Sequence, residues 1–494
     1  MTAPLPFMTA ILALAFTTCV SLQESPVTGK KRAYAYSWND EVRMGREYDP
    51  QIIAEFGLLD HPGLSDYVRT VGEKVLAESH LRREGTSAQF KNVPFTFRVL
   101  DSPVVNAFAL PGGYNYVTRG LLAHLENEAQ LAMVLGHEVA HVAARHASQQ
   151  ALKQTAGSLF VIGGAVLAES VLGAGGQEVM QLGGAAAQLL FLSYSRDAER
   201  ESDRLGVEYA AKAGYAASEG AHFFTSLKRI SAASGQRVPN HLSSHPDPGE
   251  REKDIERRAA RFREQGYVQE KVERDRYLAA IDGIMVGENP REGFVHGDVF
   301  VHPDLAFRFG IPTGWKLQNG RNAVMLYQPD QKAILQFTLD AQAGTTAEVV
   351  DKIGNQRGVT VVDRQAIANS PIHAVRLIGE ATDQSGNVTR LLVVGASLGG
   401  RLYRFVGYAS KADFDGYLAA FESTALSFTT LNDPALLNVQ PARLRVMTTT
   451  RTAAFREFLP NPMPLNINAE DVAIMNQVKL DDVIPMGVKI KVPR

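Results

Sequence analysis

The chain has 494 residues, 45% of them hydrophobic, which is too long for a single hydrophobic core and suggests about three domains. Its 51 basic and 53 acidic residues nearly cancel, which excludes the strong positive field of a nucleic-acid-binding surface, so no nucleic acid partner is expected. The one cysteine excludes any intrachain disulfide, leaving core packing and bound metal as sources of stability.

Residues 1–19 read as an export signal. Residues 7–16 form an apolar run interrupted only by Thr9, shorter than the roughly 20 residues a spanning helix needs. Cys19 follows directly, and Phe16-Thr17-Thr18-Cys19 is similar to a bacterial lipoprotein processing site. A lipid anchor on Cys19, and with it membrane association, is therefore expected; the alternative is a plain cleaved signal. Residues 20–49 are polar and are expected to lie over the next domain as an arm.

Residues 50–289 read as the second unit. Apolar residues at three- and four-residue spacing predict helices over 50–56 and 64–78, and alternation predicts a strand over 95–100. Residues 106–118 are broken by Pro111-Gly112-Gly113 into two short β pieces, a hairpin or edge strand. Such an edge at Asn106, Ala107, Phe108 and Ala109 can take up a substrate peptide as one more strand; a purely structural hairpin is the alternative.

The apolar helical run over 128–146 contains His137-Glu138-Val139-Ala140-His141. Residues four apart on a helix lie about 40° apart around its axis, so the imidazoles of His137 and His141 can converge on one cation, with zinc the expected metal. Glu138 is rotated by about 100°, so it misses the metal but reaches a water bound to it, where a general base is needed. His146, five residues past His141, is about 140° round the same helix and is expected to point away from the metal.

Residues 155–192 are rich in Gly and Ala but interrupted by Glu169 and Glu178, and read as packed small-residue helices rather than a membrane span. The charged helix pattern over 196–207 should supply a third ligand, because a catalytic zinc keeps three protein ligands and an open position. Glu199 and Asp203, four apart, share a face: the longer carboxylate can bind zinc while Asp203 takes the free N–H of a ligand imidazole. Glu201 competes for the ligand role but lies about 200° from Glu199 and has no Asp four residues on. A loop at 245–251 runs into predicted helices over 252–264 and 267–286, and 287–293 is the expected linker.

From 294 to 431 the texture changes to strands with helices over 346–353 and 411–426, a separate α+β domain with no clustered catalytic groups. Residues 440–494 read as a third, small module.

Gly136-His137-Glu138-Val139-Ala140-His141 with Arg145-His146, Ser195-Arg196-Asp197 with Glu199 and Asp203, and His245-Pro246 with Arg251 together resemble the zinc metallopeptidase family of CAAX prenyl proteases, HtpX and BepA, and within it the bacterial periplasmic and lipoprotein branch. The resemblance covers residues 42–288. It implies a mainly helical gluzincin domain with a small edge-stranded sheet, one zinc ion per chain on His137, His141 and Glu199, and endopeptidase activity on proteins. It further implies that His245 and Arg251 approach the zinc, either with His245 filling the open position as a latency ligand, the favoured alternative, or with both stabilising a tetrahedral oxyanion. Residues 294–431 are similar to PsbP-like α/β/α sandwich domains through His302-Pro303-Asp304 and Pro312-Thr313-Gly314-Trp315, and residues 440–494 to a degenerate lysin-motif module, which implies peptidoglycan contact. The expected whole is an α+β zinc endopeptidase cutting misfolded or envelope proteins in the periplasm, as an outer-membrane lipoprotein. The rival expectation is a non-catalytic chaperone or assembly scaffold on the same fold.

Overall fold

The computed structural model describes residues 21–156, 194–233, 245, 250–367, 372–382 and 386–494. The signal segment with Cys19, most of the Gly- and Ala-rich stretch, and Pro246 and Pro248 lie outside the described residues.

An antiparallel hairpin, β1 (Ser21–Glu24) and β2 (Lys31–Tyr34), leads into α1 (Trp38–Phe56). A capping box starts this helix: the Ser37 side chain accepts from the Asp40 N–H, and the Asp40 carboxylate accepts from the Ser37 N–H. The expected boundary between residues 49 and 50 therefore falls inside a helix, with Pro50 in its interior rather than at its start. Proline removes one backbone bond there, but buried anchors on both sides hold the helix in place. Ile52 is fully buried, and Asp49 accepts from Tyr116 Oη at 2.7 Å and from Arg98 Nη2 at 2.9 Å.

After α2 (Pro62–Ala77) comes a three-stranded sheet of β3 (Thr96–Leu100), β4 (Ala107–Leu110) and β5 (Tyr114–Thr118) in the order β3-β5-β4. β5 runs parallel to β3 and antiparallel to β4, so β4 is an edge. Short α3 (Arg119–His124) precedes α4 (Glu128–Ala144), every residue of which is buried. A helix this apolar around its whole circumference forms the centre of a core. Around it pack α5 (His146–Ala156), α6 (Arg196–Lys212), α7 (Glu219–Ala233), α8 (Arg251–Glu264) and α9 (Arg274–Ile281). α9 is much shorter than the helix expected over 267–286. The chain leaves α8 at Gly266, with φ +90°, makes a bridge from Lys271 to Tyr215, and turns again at Gly283, with φ +89°.

The next domain is a seven-stranded antiparallel sheet, in spatial order Val359–Ala366, Val375–Thr382, Val388–Leu398, Arg401–Ser410, Ala333–Asp340, Val324–Tyr327 and Lys316–Asn319, beside a four-stranded sheet. Strand Val388–Leu398, third in this order, is apolar on both faces because both are covered. Leu391 and Val393 join the cluster under α10 (Thr346–Gly354), while Leu392 and Val394 join the aromatic cluster under α11 (Phe414–Leu426).

The last module does not stand apart. Leu444, Phe455, Val472, Ile490 and Val492 belong to the same buried cluster as Leu131, Val134 and Ile281 of the helical domain. Lys491 is fully buried there: its ammonium donates to the carbonyls of Ala123 at 3.0 Å and Leu125 at 2.7 Å, and pairs with Glu126 at 2.8 Å. The chain thus leaves the helical domain, builds the sheet domain, and returns. Among the described residues no helix is long and apolar enough to cross a membrane. Because two buried carbonyls would lose their donor and Glu126 would be left with Arg274 alone, Lys491→Met should cost about 2 kcal/mol of stability in urea unfolding. An unchanged midpoint would show that the module docks without this lysine.

Candidate metal centre

Two glycines bring the two sequence motifs together. A Cβ on Gly206 of α6 would lie 3.0 Å from the His137 backbone nitrogen, and one on Gly136 of α4 would lie 3.1 Å from the Gly206 carbonyl. The two helices therefore cross with backbone almost on backbone, which puts Glu199 and Asp203 beside His137 and His141. Each helix is pinned at its start by a side-chain cap, Asn127 accepting from the Gln130 N–H and Ser195 from the Ala198 N–H.

At the crossing, His137 Nε2 lies 3.0 Å from His141 Nε2 and 3.2 Å from His245 Nδ1, and Glu199 Oε1 lies 3.1 Å from His245 Nδ1 and 3.4 Å from His141 Nε2. One donor atom from each of these four residues lies within 4.8 Å of all the others, and all four residues are buried. His137 Nδ1 faces the Asp203 carboxylate at 3.0 Å. A carboxylate only accepts, so Nδ1 carries a hydrogen, and when the ring gives up its other proton it turns a lone pair at Nε2 towards the other donors. Converging lone pairs with an anionic carboxylate among them suit a cation.

The buried carboxylates draw positive charge to the same place. Burial opposes a charge on His137, but Asp203 and Glu199 outweigh it and push its pKa up to about 9. Burial likewise opposes ionisation of Glu199, yet His245, His137 and His141 hold its carboxyl well below the usual range. Arg251 Nη2 donates to Asp203 Oδ1 at 2.7 Å and lies 3.4 Å from Glu199 Oε2, its guanidinium 3.8 Å above the Phe224 ring. In this geometry Arg251 braces the two carboxylates. Glu138 is fully buried, burial raises its pKa, and neither of its oxygens accepts a hydrogen bond from the described residues. His245 Nε2 stands 3.6 Å from Glu138 Oε1. The edge strand also reaches the centre, since Ala109, Leu110, Pro111, His141, Val142 and Tyr194 line one small pocket; Asn106, Ala107 and Phe108 continue away from it along and just before β4.

His146 stays outside the group of four donors, as expected, but it packs directly behind one of them. α4 ends at Arg145 in the left-handed region, φ +60°, and the break turns His146 back so that its Nδ1 lies 3.0 Å from His141 Nδ1. Its Nε2 faces Glu201 Oε2 at 3.2 Å. Sequence reasoning missed this pair because it assumed a continuous helix, and with no glycine at 145 nothing in the sequence marks the break.

Residues 67–259 match peptidase family M48. This stretch is an M48 metallopeptidase domain. Zinc is the metal of that family, and the four converging donors are residues that can hold it. The chain is 28% identical over 241 residues to the beta-barrel assembly-enhancing protease of Escherichia coli (strain K12), covering 48% of this chain and 47% of that protein. It is 32% identical over 245 residues to the mitochondrial metalloendopeptidase OMA1 of Danio rerio, covering 48% and 50%. The chain thus spans about half the length of the curated relatives it matches. Among solved structures it is similar to cyanobacterial PsbP from Synechocystis sp. PCC 6803, with 16% identity, a TM-score of 0.24, and coverage of 28% of this chain and 98% of that one.

The glycine crossing of the M48 domain generates a direct test. Gly206→Val must push α6 off α4, so zinc affinity should fall at least about tenfold while far-UV circular dichroism keeps its helical signal. Wild-type affinity in chelator competition would mean that the helices can part without disturbing the donors.

Proposed function

We propose that the chain is a zinc endopeptidase, with His137, His141 and Glu199 holding the ion and Glu138 acting as general base. The observation that carries this reading is the Glu138 carboxylate, buried beside four converging donors with no hydrogen bond from the described residues. A structural glutamate in such a place would be paired, whereas a base must keep its lone pairs for a proton. The same observation speaks against a non-catalytic scaffold. Zinc, when bound, supplies Lewis acidity that lowers the pKa of a water towards about 7 and polarises a carbonyl. Glu138 takes the proton of the attacking water and delivers it to the leaving amine. A substrate peptide lies extended along β4, whose edge position leaves its outer backbone groups for pairing, and Ala109 brings that strand to His141.

His245 is the latency ligand in this reading. Its ring nitrogen already shares the donor cluster, in the place where a water would have to work, so this arrangement suits a restrained enzyme better than an oxyanion stabiliser. Arg251 acts by bracing Asp203 and Glu199. The name of the bacterial relatives points to envelope proteins, and the export signal agrees, so we infer misfolded or unassembled envelope proteins of the periplasm as substrates. Cys19 anchors the chain to the outer membrane facing the periplasm; labelled fatty acid should enter the wild type and not Cys19→Ser, and failure of the wild type to take it up leaves a plain signal. A peptidoglycan contact by the last module has weaker support, because the apolar side of that module is buried against the M48 domain.

Casein cleavage and zinc content of the purified protein test the mechanism together. Glu138→Gln should keep its zinc and lose activity by a factor of about a hundred or more, and His245→Ala should keep its zinc and cut faster than wild type. Comparable turnover in Glu138→Gln sinks the base, and slower cleavage by His245→Ala turns that residue from restraint into transition-state stabiliser.

A further inference from the structure

Each of the two imidazoles of the His-Glu-x-x-His helix has one nitrogen towards the metal site and one away from it. For His137 the outward nitrogen meets Asp203 directly. For His141 the outward Nδ1 meets another imidazole, His146 Nδ1, at 3.0 Å, and that ring in turn meets the Glu201 carboxylate through Nε2 at 3.2 Å. We propose that His146 is a positioning residue for His141, presetting which nitrogen His141 offers to the metal through a hydrogen-bond relay that starts at Glu201.

The direction of the relay follows from what each group can donate. The Glu201 carboxylate only accepts, so the hydrogen of neutral His146 sits on Nε2. His146 Nδ1 is then a lone pair, which accepts from His141 Nδ1–H, with the Ser202 hydroxyl a second donor to it at 3.2 Å. His141 is left with its lone pair on Nε2, the nitrogen 3.0 Å from His137 Nε2 and 3.4 Å from Glu199 Oε1. The reverse order would set a lone pair of His146 against the carboxylate and aim a hydrogen of His141 into the donor cluster.

Arg145 holds the relay in line. Its left-handed backbone turns His146 back, and its buried side chain is tied down by the N-terminal arm. Arg145 Nη2 pairs with Glu41 Oε1 at 2.7 Å and donates to the Tyr36 carbonyl at 2.8 Å; Nη1 donates to Gln23 Oε1 at 2.8 Å; and the guanidinium lies 3.8 Å over the Tyr34 ring. Residues 20–49 therefore act on the metal centre from a distance.

This inference rests on zinc binding at His141, and the test separates the two. Zinc affinity by chelator competition and the visible spectrum of the cobalt-substituted protein are measured on the full chain, with thermal unfolding of the metal-free forms alongside. His146→Leu should bind zinc about ten- to a hundredfold more weakly and alter the cobalt spectrum. His146→Asn, whose side-chain oxygen can accept from His141 Nδ1–H, should recover most of the affinity. Glu201→Leu, distant from the metal and unable to accept from His146 Nε2–H, should lose affinity severalfold. Wild-type affinity in His146→Leu, or equal losses in the Leu and Asn variants, would overturn the relay while leaving the zinc reading intact; a wild type that binds no zinc would end both. Should His146→Leu not fold without metal, Glu201→Leu decides: a severalfold loss supports the relay and unchanged affinity overturns it.

Discussion

The closeness of α4 to α6 is the constraint on which the rest of the site depends. Metal donors from one helix must meet donors from another within a few ångströms, and ordinary helix pairs, held about 8–10 Å apart by their side chains, leave too little freedom for short carboxylates to do so. Gly136 and Gly206 remove the side chains at the crossing, one immediately before the first ligand and the other seven residues after Glu199. Every residue of α4 is buried, so the crossing is enclosed on all sides, and the donors have no solvent to fall back on.

Enclosure sets the charge balance. Three carboxylates, Glu138, Glu199 and Asp203, face one guanidinium, Arg251, which leaves two negative charges when all are ionised. Buried charge of that kind is unfavourable unless something positive joins it. Protonation of His137 and a raised pKa at Glu138 are the protein's partial answers, both driven by its own groups. A bound divalent cation would answer the imbalance, and its binding would displace a proton from His137 and favour the ionised form of Glu138.

Much of this was legible in the sequence because it is carried by spacing. His137, Glu138 and His141 follow from the helical period, and Glu199 with Asp203 from the same period on a second helix. The edge position of β4 could be read from Pro111-Gly112-Gly113. What spacing does not carry is where a period stops. His146 was placed by continuing α4 through Arg145, although burial of the Arg145 guanidinium against Glu41 and Tyr34, contacts more than a hundred residues away in sequence, is what stabilises a left-handed residue there. The same kind of long-range contact carries α1 through Pro50, where local rules predict a helix start. Strand Val359–Ala366 carries no such signal for the opposite reason: as a largely exposed edge of its sheet it lacks the alternation that marks a half-buried strand.

The two ends of the described chain converge on the M48 domain, and this changes what counts as its folding unit. The family match runs from residue 67 to residue 259, but Glu41, Tyr34 and Trp38 lie before it and Lys491, Val492 and Phe455 after it. The first group closes over the end of the metal helix, and the second fills the far side of the same hydrophobic cluster and caps the carbonyls at the end of α3. A fragment trimmed to the matched region would lose the helix Ala469–Met475 that packs on α7 beside Ile230, and would leave Arg145 a buried cation without its carboxylate. Sequence kinship here marks the residues that bring the donors together, while the stability of the arrangement is supplied by segments on either side of them. The sheet domain, inserted between the M48 domain and its returning brace, is thereby held at both of its own ends, which ties its position to the protease core by more than a single linker.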